Sequence, residues 1–444
     1  MSPDRVVIIG ASTTGLFAAA AVAASDRSVV ILERDELPSD AAPRPGVPQG
    51  RQPHVFLHRG VLAAEELLPG FRRDLLDVGA VPINTADLAW LGEQGWADRT
   101  SRSFEVLSTS RPLLEVTLRR RVTELPGVDV AGGRPVTGLA ENARNWLVTT
   151  ADGTEFKADL VIDASGRNSR LATWLGDKLS GPLRTTEIDA RIGYATRMYR
   201  GDPLIGEIPG VVIASTPSTP TGGLAISIEG GHWLIMALGV GDDRPPRDPA
   251  GFEAFLGRLR DPALARLAQR LEPVSDVSLH RQTANRRRYY DEQNDWPNSV
   301  VVMGDAFCAF NPVYGQGIAV GAVEALLIRE ALDAGLKPGA SRPLHRQFAK
   351  AVALPWAVAT ATDMQYPTCP QSPTRLGALQ DNWVKQMEKL SVHGNARAAI
   401  ALSSIYHLMA GPRTLLQPAL IRAVLNGRIR GYGPANRRPA ELQD

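Results

Sequence analysis

The chain has 444 residues, 44% of them hydrophobic and 22% charged, which is enough for two or three packed units of an ordinary globular protein. With 49 basic against 47 acidic side chains and a net charge of +2, the whole-chain balance gives no electrostatic case for nucleic acid or an anionic membrane as partner. Two cysteines, Cys308 and Cys369, cannot build a disulfide framework or a cysteine metal site; no apolar run is long enough to span a bilayer, and Met1-Ser2-Pro3-Asp4-Arg5 lacks a signal-peptide pattern, so a cytoplasmic, metal-free protein is expected.

The first element is a buried-strand pattern, Val6 to Ile9, followed by Gly10-Ala11-Ser12-Thr13-Thr14-Gly15 and an alanine-rich helix pattern from Leu16 to Ala24. A second strand, Val29 to Leu32, ends at Glu33. This is a βαβ unit with an acid about twenty residues past the glycines, the spacing of a dinucleotide-binding fingerprint. Gly10 permits the tight turn, and Gly15 lets the helix sit close to the sheet. The free amides at the helix start would face a pyrophosphate, and Glu33 would accept from the adenosine ribose, with Thr14 and Arg34 at the same end. Ser12 replaces the middle glycine of the fingerprint; it is small and can donate its hydroxyl. An ordinary strand–turn–helix with chance glycines is the competing reading of this stretch alone.

Strand-like stretches follow at Ile188 to Met198, Val211 to Ser215, Leu224 to Ile228 and His232 to Val240. Asp248-Pro249 opens a helical pattern running to Leu271, and the basic run Arg281 to Arg288 reads as a solvated strand edge. Val300 to Met303 is another buried strand. It leads to Gly304-Asp305, to the loop Asn311-Pro312-Val313-Tyr314-Gly315-Gln316-Gly317, and to a helix pattern from Ile318 to Leu332 in which Gly321 suggests close packing. Asp305 is placed to accept from a ribityl hydroxyl; a turn acid or helix cap is the alternative. Glycines at a helix start leave amides uncovered, and amides aimed at the pyrimidine edge of a flavin would stabilise the reduced anion. Pro312, Gly315, Gln316 and Gly317 are therefore flavin-facing candidates. Helical patterns at His345 to Thr362, Ala396 to Leu408 and Leu415 to Leu425, broken at Tyr366 to Pro373, could cap a lipophilic tunnel, graze a membrane or pack on the core.

Three further segments carry a family likeness. Arg44-Pro45-Gly46-Val47-Pro48-Gln49-Gly50-Arg51-Gln52-Pro53-His54, Ser110-Arg111-Pro112-Leu113-Leu114-Glu115 and Asp159-Leu160-Val161-Ile162-Asp163-Ala164-Ser165-Gly166-Arg167-Asn168-Ser169 join the two turns. Together they resemble the FAD-dependent monooxygenases of the p-hydroxybenzoate hydroxylase type, most of all the branch with squalene-epoxidase-like polyether epoxidases and geranylgeranyl-reductase-like flavoproteins. The likeness runs, with gaps, over residues 5 to 335. It implies that Arg51 and Arg111 lie against FAD, near the pyrophosphate and the ribityl chain, and that Asp163 belongs to the cofactor-binding set. His54 is a candidate to face the flavin or a structural histidine.

The resemblance implies an α/β fold: a Rossmann-like FAD-binding domain of glutathione-reductase type, with an inserted β-sheet substrate domain and a C-terminal helical region. The expected boundaries are 1–180 and 282–340 for the two parts of the FAD-binding domain, 181–281 for the substrate domain and 341–444 for the helices. It implies oxygen insertion from O2 into a lipophilic natural-product intermediate, by epoxidation or hydroxylation through a flavin C4a-hydroperoxide. A prenyl-type alkene reductase and a non-catalytic lipid-binding protein of the same fold are the alternatives. Ser165-Gly166 stands where aromatic hydroxylases carry Asp-Gly, so electrons from NAD(P)H arrive directly or through a separate flavin reductase. The tryptophan-rich motif of flavin halogenases is absent, which argues against halogenation.

Overall fold

The computed structural model describes residues 4–24, 27–100, 104–143, 145–335 and 340–442. The expectations for Met1 to Pro3, for 336–339 at the end of the 282–340 segment and for 443–444 lie outside the described residues.

A five-stranded sheet anchors the N-terminal half, in the order Val300–Val302, Leu160–Asp163, Arg5–Ile9, Ser28–Leu32, Val128–Ala131. All its pairings are parallel, and the strands at Val6 to Ile9, Leu160–Asp163 and Val300–Val302 read as apolar runs because both their faces are covered. The helix Thr13–Ala23 is apolar all round, and its alanines and Gly15 let it pack tightly between this sheet and the helix Gly317–Asp333. Val300–Val302 joins the sheet from nearly three hundred residues away, in register with Leu160–Asp163. The two glycine turns therefore emerge at the same carboxyl edge, the edge on which open α/β sheets bind ligands.

A seven-stranded sheet forms the second unit. Ile192–Arg200, His232–Val240, Thr221–Ile228 and Gly210–Ile213 pair antiparallel in that order, and Ala89–Leu91 adds in parallel at the edge. That edge strand comes from within the first 180 residues, so the sheet is not built from 181–281 alone. The helix expected over Asp248 to Leu271 is two helices, Pro249–Leu256 and Ala263–Arg270. Pro262 cannot continue a helix, and Asp261, accepting from the Ala263 amide at 2.9 Å, starts the second one.

The C-terminal region contains the helices Ser341–Asp363, Arg375–Val392, Ala396–Tyr406 and Pro418–Arg430. Arg375–Val392 was not anticipated from the sequence. It is capped by Thr374, whose hydroxyl accepts the Gly377 amide at 3.0 Å. Among the described residues no helix is long and apolar enough to cross a membrane, and no group of three or more side chains could hold a metal ion.

Candidate flavin site

One cavity of about 860 Å³ connects the first glycine turn with the loop at Pro312 to Gly317, the inner face of the seven-stranded sheet and the underside of the C-terminal helices. At its first end, Gly10 adopts φ +102°, and a Cβ there would lie 2.7 Å from the Ala164 carbonyl oxygen. A Cβ on Gly15 would lie 1.9 Å from the Gly10 oxygen, so neither position tolerates a side chain. Thr14 then links the two distant turns: Cβ atoms on Gly304 and on Gly321 would each stand 2.7 Å from its side chain.

Ser12, the substituted glycine, has ordinary extended backbone, so serine costs nothing there. Its hydroxyl donates to Glu115 at 2.5 Å and accepts from Arg111 Nη2 at 2.7 Å. Arg111 also donates to Thr13 Oγ1 at 3.0 Å and, through Nε, to Glu115 at 3.0 Å. Arg44 donates to the other Glu115 oxygen at 3.1 Å and lies 2.9 Å from Asp35 and 3.2 Å from Glu33. Glu33 accepts the Ala11 amide at 2.7 Å. Burial pushes the Glu115 carboxyl up, but Arg111 and Arg44 more than reverse this and hold it below the usual carboxylate range.

Three segments thus brace the first turn through one buried ionic cluster. Arg44 Nη2 is buried there without a hydrogen-bond partner, an orphan cationic donor beside the helix start. That is the group a phosphate oxygen would satisfy.

The second end is built differently. Gly304, at φ +60°, donates its amide to Glu324 at 2.6 Å. Burial drives the Glu324 carboxyl up to about 8, so it is mostly protonated at neutral pH. Asp305 lines the cavity, its carboxyl also raised by burial. Beyond it the Asn311–Gly317 loop hangs on Asp363, the last residue of the helix Ser341–Asp363. Asp363 accepts from Tyr314 Oη at 2.6 Å, Asn285 Nδ2 at 2.7 Å and Asn311 Nδ2 at 3.2 Å. Tyr194 donates to Asn311 Oδ1, and its hydroxyl accepts the Val313 amide at 3.2 Å. Desolvation raises the Asp363 carboxyl to about 6.

Past this loop the cavity is lined by Trp90, Leu224, Ile226, Met236, Tyr366 and Tyr406, an apolar chamber between the sheet and the C-terminal helices. His54, whose Nδ1 lies 2.8 Å from the Gln52 carbonyl, also lines the cavity. Burial and the neighbouring Arg111 lower its pKa to about 3, so it is a neutral imidazole.

Of the positions singled out from sequence, Gly10, Ser12, Thr14, Glu33, Arg34 and Arg111 line the cavity at one end. Asp305, Pro312, Gly315, Gly317 and His54 line it elsewhere. Gly15, Gly304 and Gln316 sit behind the lining as packing or backbone positions. Asp163 is fully buried, accepting from the Ser165 amide at 2.9 Å and from the Ser169 hydroxyl, and it ties its own loop instead of facing the cavity.

Arg51 departs from the expectation: it is exposed and outside the cavity. Consecutive turns, with the Val47 amide on the Arg44 oxygen and the Gly50 amide on the Val47 oxygen, point Arg44 inward and leave Arg51 on the surface. Arg44 and Glu115 were not singled out as site residues. For Glu115 the available signal was its spacing, one helical turn from Arg111. The glycine cradle, the orphan guanidinium donor and the cavity joining the two turns fit an extended dinucleotide such as FAD.

No family model matches the chain. Protein Rv3254 of Mycobacterium tuberculosis is 32% identical over 387 residues, covering 82% of this chain and 81% of that protein. The rifampicin monooxygenase of Rhodococcus hoagii is 24% identical over 337 residues, covering 72% of this chain and 62% of its own length. Among solved structures, p-nitrophenol 4-monooxygenase from Pseudomonas putida superposes with a TM-score of 0.61 at 18% identity, over 95% of this chain and 98% of that one. That likeness establishes a shared fold.

Proposed function

We propose that the chain, which belongs to one family with Protein Rv3254, is an FAD-dependent monooxygenase of the p-hydroxybenzoate hydroxylase-like superfamily that inserts one oxygen atom from O2 into a lipophilic natural-product intermediate, by hydroxylation or epoxidation. The single observation carrying this reading is that the apolar chamber opens directly onto the loop at Pro312 to Gly317. In this reading the amides after Gly10, with Arg44 and Arg111, hold the FAD diphosphate. Glu33 and Arg34 border the adenosine end, Asp305 takes a ribityl hydroxyl, and the Gly315 and Gly317 amides meet the pyrimidine edge. When bound and reduced, FAD supplies the activation of O2.

The protein's own share is positioning and dryness. Trp90, Leu224, Met236 and Tyr406 exclude water from the reacting face and bind an apolar substrate by burial. His54 stays uncharged at neutral pH, so it would border the flavin without adding positive charge. The overall balance is two electrons and a proton from NAD(P)H and one further proton from solvent, with one oxygen atom going to the substrate and the other to water. The electrons come from NAD(P)H directly or through a separate flavin reductase.

Rifampicin, for which a relative is named, is the first substrate to try. The holoenzyme is given NAD(P)H, a flavin reductase and ¹⁸O-labelled O2, and the product is weighed by mass spectrometry. One ¹⁸O per product molecule is expected. Substrate turnover that continues without O2, or product without label, overturns oxygen insertion and leaves an alkene reductase.

A further inference from the structure

The C-terminal helices carry two features that neither their packing nor the cavity uses. The first is apolar exposure. Among the described residues, eight of the twelve large hydrophobic side chains on the surface fall between Leu376 and Ile429. On the helix Pro418–Arg430, Leu420, Val424 and Gly427 face inward, while Ile421, Leu425 and Ile429, spaced by four, are 38%, 53% and 80% exposed. The helix therefore has a second apolar stripe pointing into solvent. Leu376 and Leu379 on Arg375–Val392, and Leu416 before Pro418, are more than half exposed as well.

The second feature is charge. From Lys389 to Ala440 the chain has eight lysines and arginines and no aspartate or glutamate. The near-neutral total hides this asymmetry. Arg397, Arg413, Arg422, Arg428, Arg430 and Arg437 are exposed, and none of them is in an ion pair among the described residues.

We propose that this face docks on an anionic phospholipid bilayer, with the helix Pro418–Arg430 lying in the plane of the interface. Outward leucine and isoleucine flanked by arginine is the composition of an interfacial helix, and acidic headgroups complement the acid-free stretch from Lys389 to Ala440 that contains it. The same charge disfavours a second copy as the occupant, because a self-contact would face these unpaired arginines with their own duplicates. Binding would be peripheral, since no described helix is long and apolar enough to cross a membrane. The helix Arg375–Val392 connects the two surfaces: Leu376 and Leu379 are exposed on it, and Val384, Lys385 and Glu388 line the end of the cavity. A substrate dissolved in the bilayer would then meet the chamber where the protein touches the membrane. The docking itself does not depend on the proposed oxygenation.

The test is flotation of the purified full chain with phosphatidylcholine vesicles, with or without about one-third phosphatidylglycerol, at low and high salt. Binding to the anionic vesicles is expected to exceed binding to pure phosphatidylcholine by at least about tenfold and to fall with salt. Each of Arg422→Ser and Arg428→Ser should weaken it about fivefold, the effect of losing one near-surface cation. Leu425→Ser/Ile429→Ser should abolish it while leaving the far-ultraviolet circular dichroism spectrum unchanged. Failure of the unaltered chain to float with anionic vesicles overturns the proposal without need of any variant. So does a dimer in solution that the double substitution splits, which would make the stripe a contact between copies.

Discussion

The two ends of the cavity hold their loops by different physics. At the Gly10 end, Arg44, Arg111, Glu33, Asp35 and Glu115 form a buried ionic cluster, and every acid in it has a charged or amide donor. At the Pro312 end a single carboxylate, Asp363, takes three neutral donors, and among the described residues no cation shares its hydrogen bonds. The consequences differ. Arg111 and Arg44 hold the Glu115 carboxyl below the usual carboxylate range, whereas burial among neutral donors raises the Asp363 carboxyl to about 6. The adenine-side scaffold should therefore be indifferent to pH across the working range, and the loop at the far end should not be.

The largest expected effect comes from breaking the cluster. Glu115→Ala leaves Arg44 and Arg111 buried without their shared partner and releases the Ser12 hydroxyl. Removing one member of a buried ionic group costs about 3–5 kcal/mol. Urea unfolding should show a loss of that order, and the purified variant should come off the column without yellow cofactor. A variant with unchanged unfolding midpoint and full flavin content would remove the cluster from any role in bracing the turn.

Asp363 gives the next effect, with a definite sign. Its carboxyl rises from an ordinary 3.8 to about 6 in the folded protein, so between those values the native state binds the proton that the unfolded chain releases. The contribution of this group to stability is complete below 3.8 and is lost as pH climbs through about 6, by roughly 1.4 kcal/mol per pH unit. Comparing the chain with Asp363→Asn cancels the other titrations. The stability difference should shift in favour of the asparagine variant by roughly 3 kcal/mol between pH 3.5 and 7. The ionised form is the one that can accept from Tyr314, Asn285 and Asn311 together, so flavin fluorescence should titrate near 6 in the native chain and stay flat in the variant. A pH-independent difference between the two proteins would mean that Asp363 keeps its ordinary acidity.

What the sequence made legible divides along the same line. Gly10, Gly15, Glu33 and Asp305 stand next to their strands in the chain, and a strand–turn–helix unit fixes such neighbours locally. The parallel sheet was readable from Val6 to Ile9 and Val300 to Met303 because strands buried on both faces leave continuous apolar runs. Asp363 was not readable. Its partners lie between 49 and 78 residues away and meet it only once the C-terminal helix packs against the sheet. The Arg375–Val392 helix was legible but missed: Leu376, Leu379, Trp383, Met387 and Leu390 recur at three- and four-residue spacing on one face, which is buried only at its C-terminal end. The choice between Arg44 and Arg51 turned on two backbone turns that a residue pattern does not encode.

Arg51→Ala should have the smallest effect. The side chain is solvent-exposed and not part of the cavity lining, so the substitution should move the unfolding free energy by no more than about 0.5 kcal/mol. FAD affinity, measured by fluorescence quenching on the apoprotein, should stay within about twofold, because the charge of an exposed cation is screened by water and salt. The family likeness implies the opposite: a guanidinium on the diphosphate, with a charge-assisted hydrogen bond worth about 1.5–3 kcal/mol and thus at least about a tenfold loss of affinity. A tenfold loss that shrinks as salt is raised would place Arg51 against the cofactor.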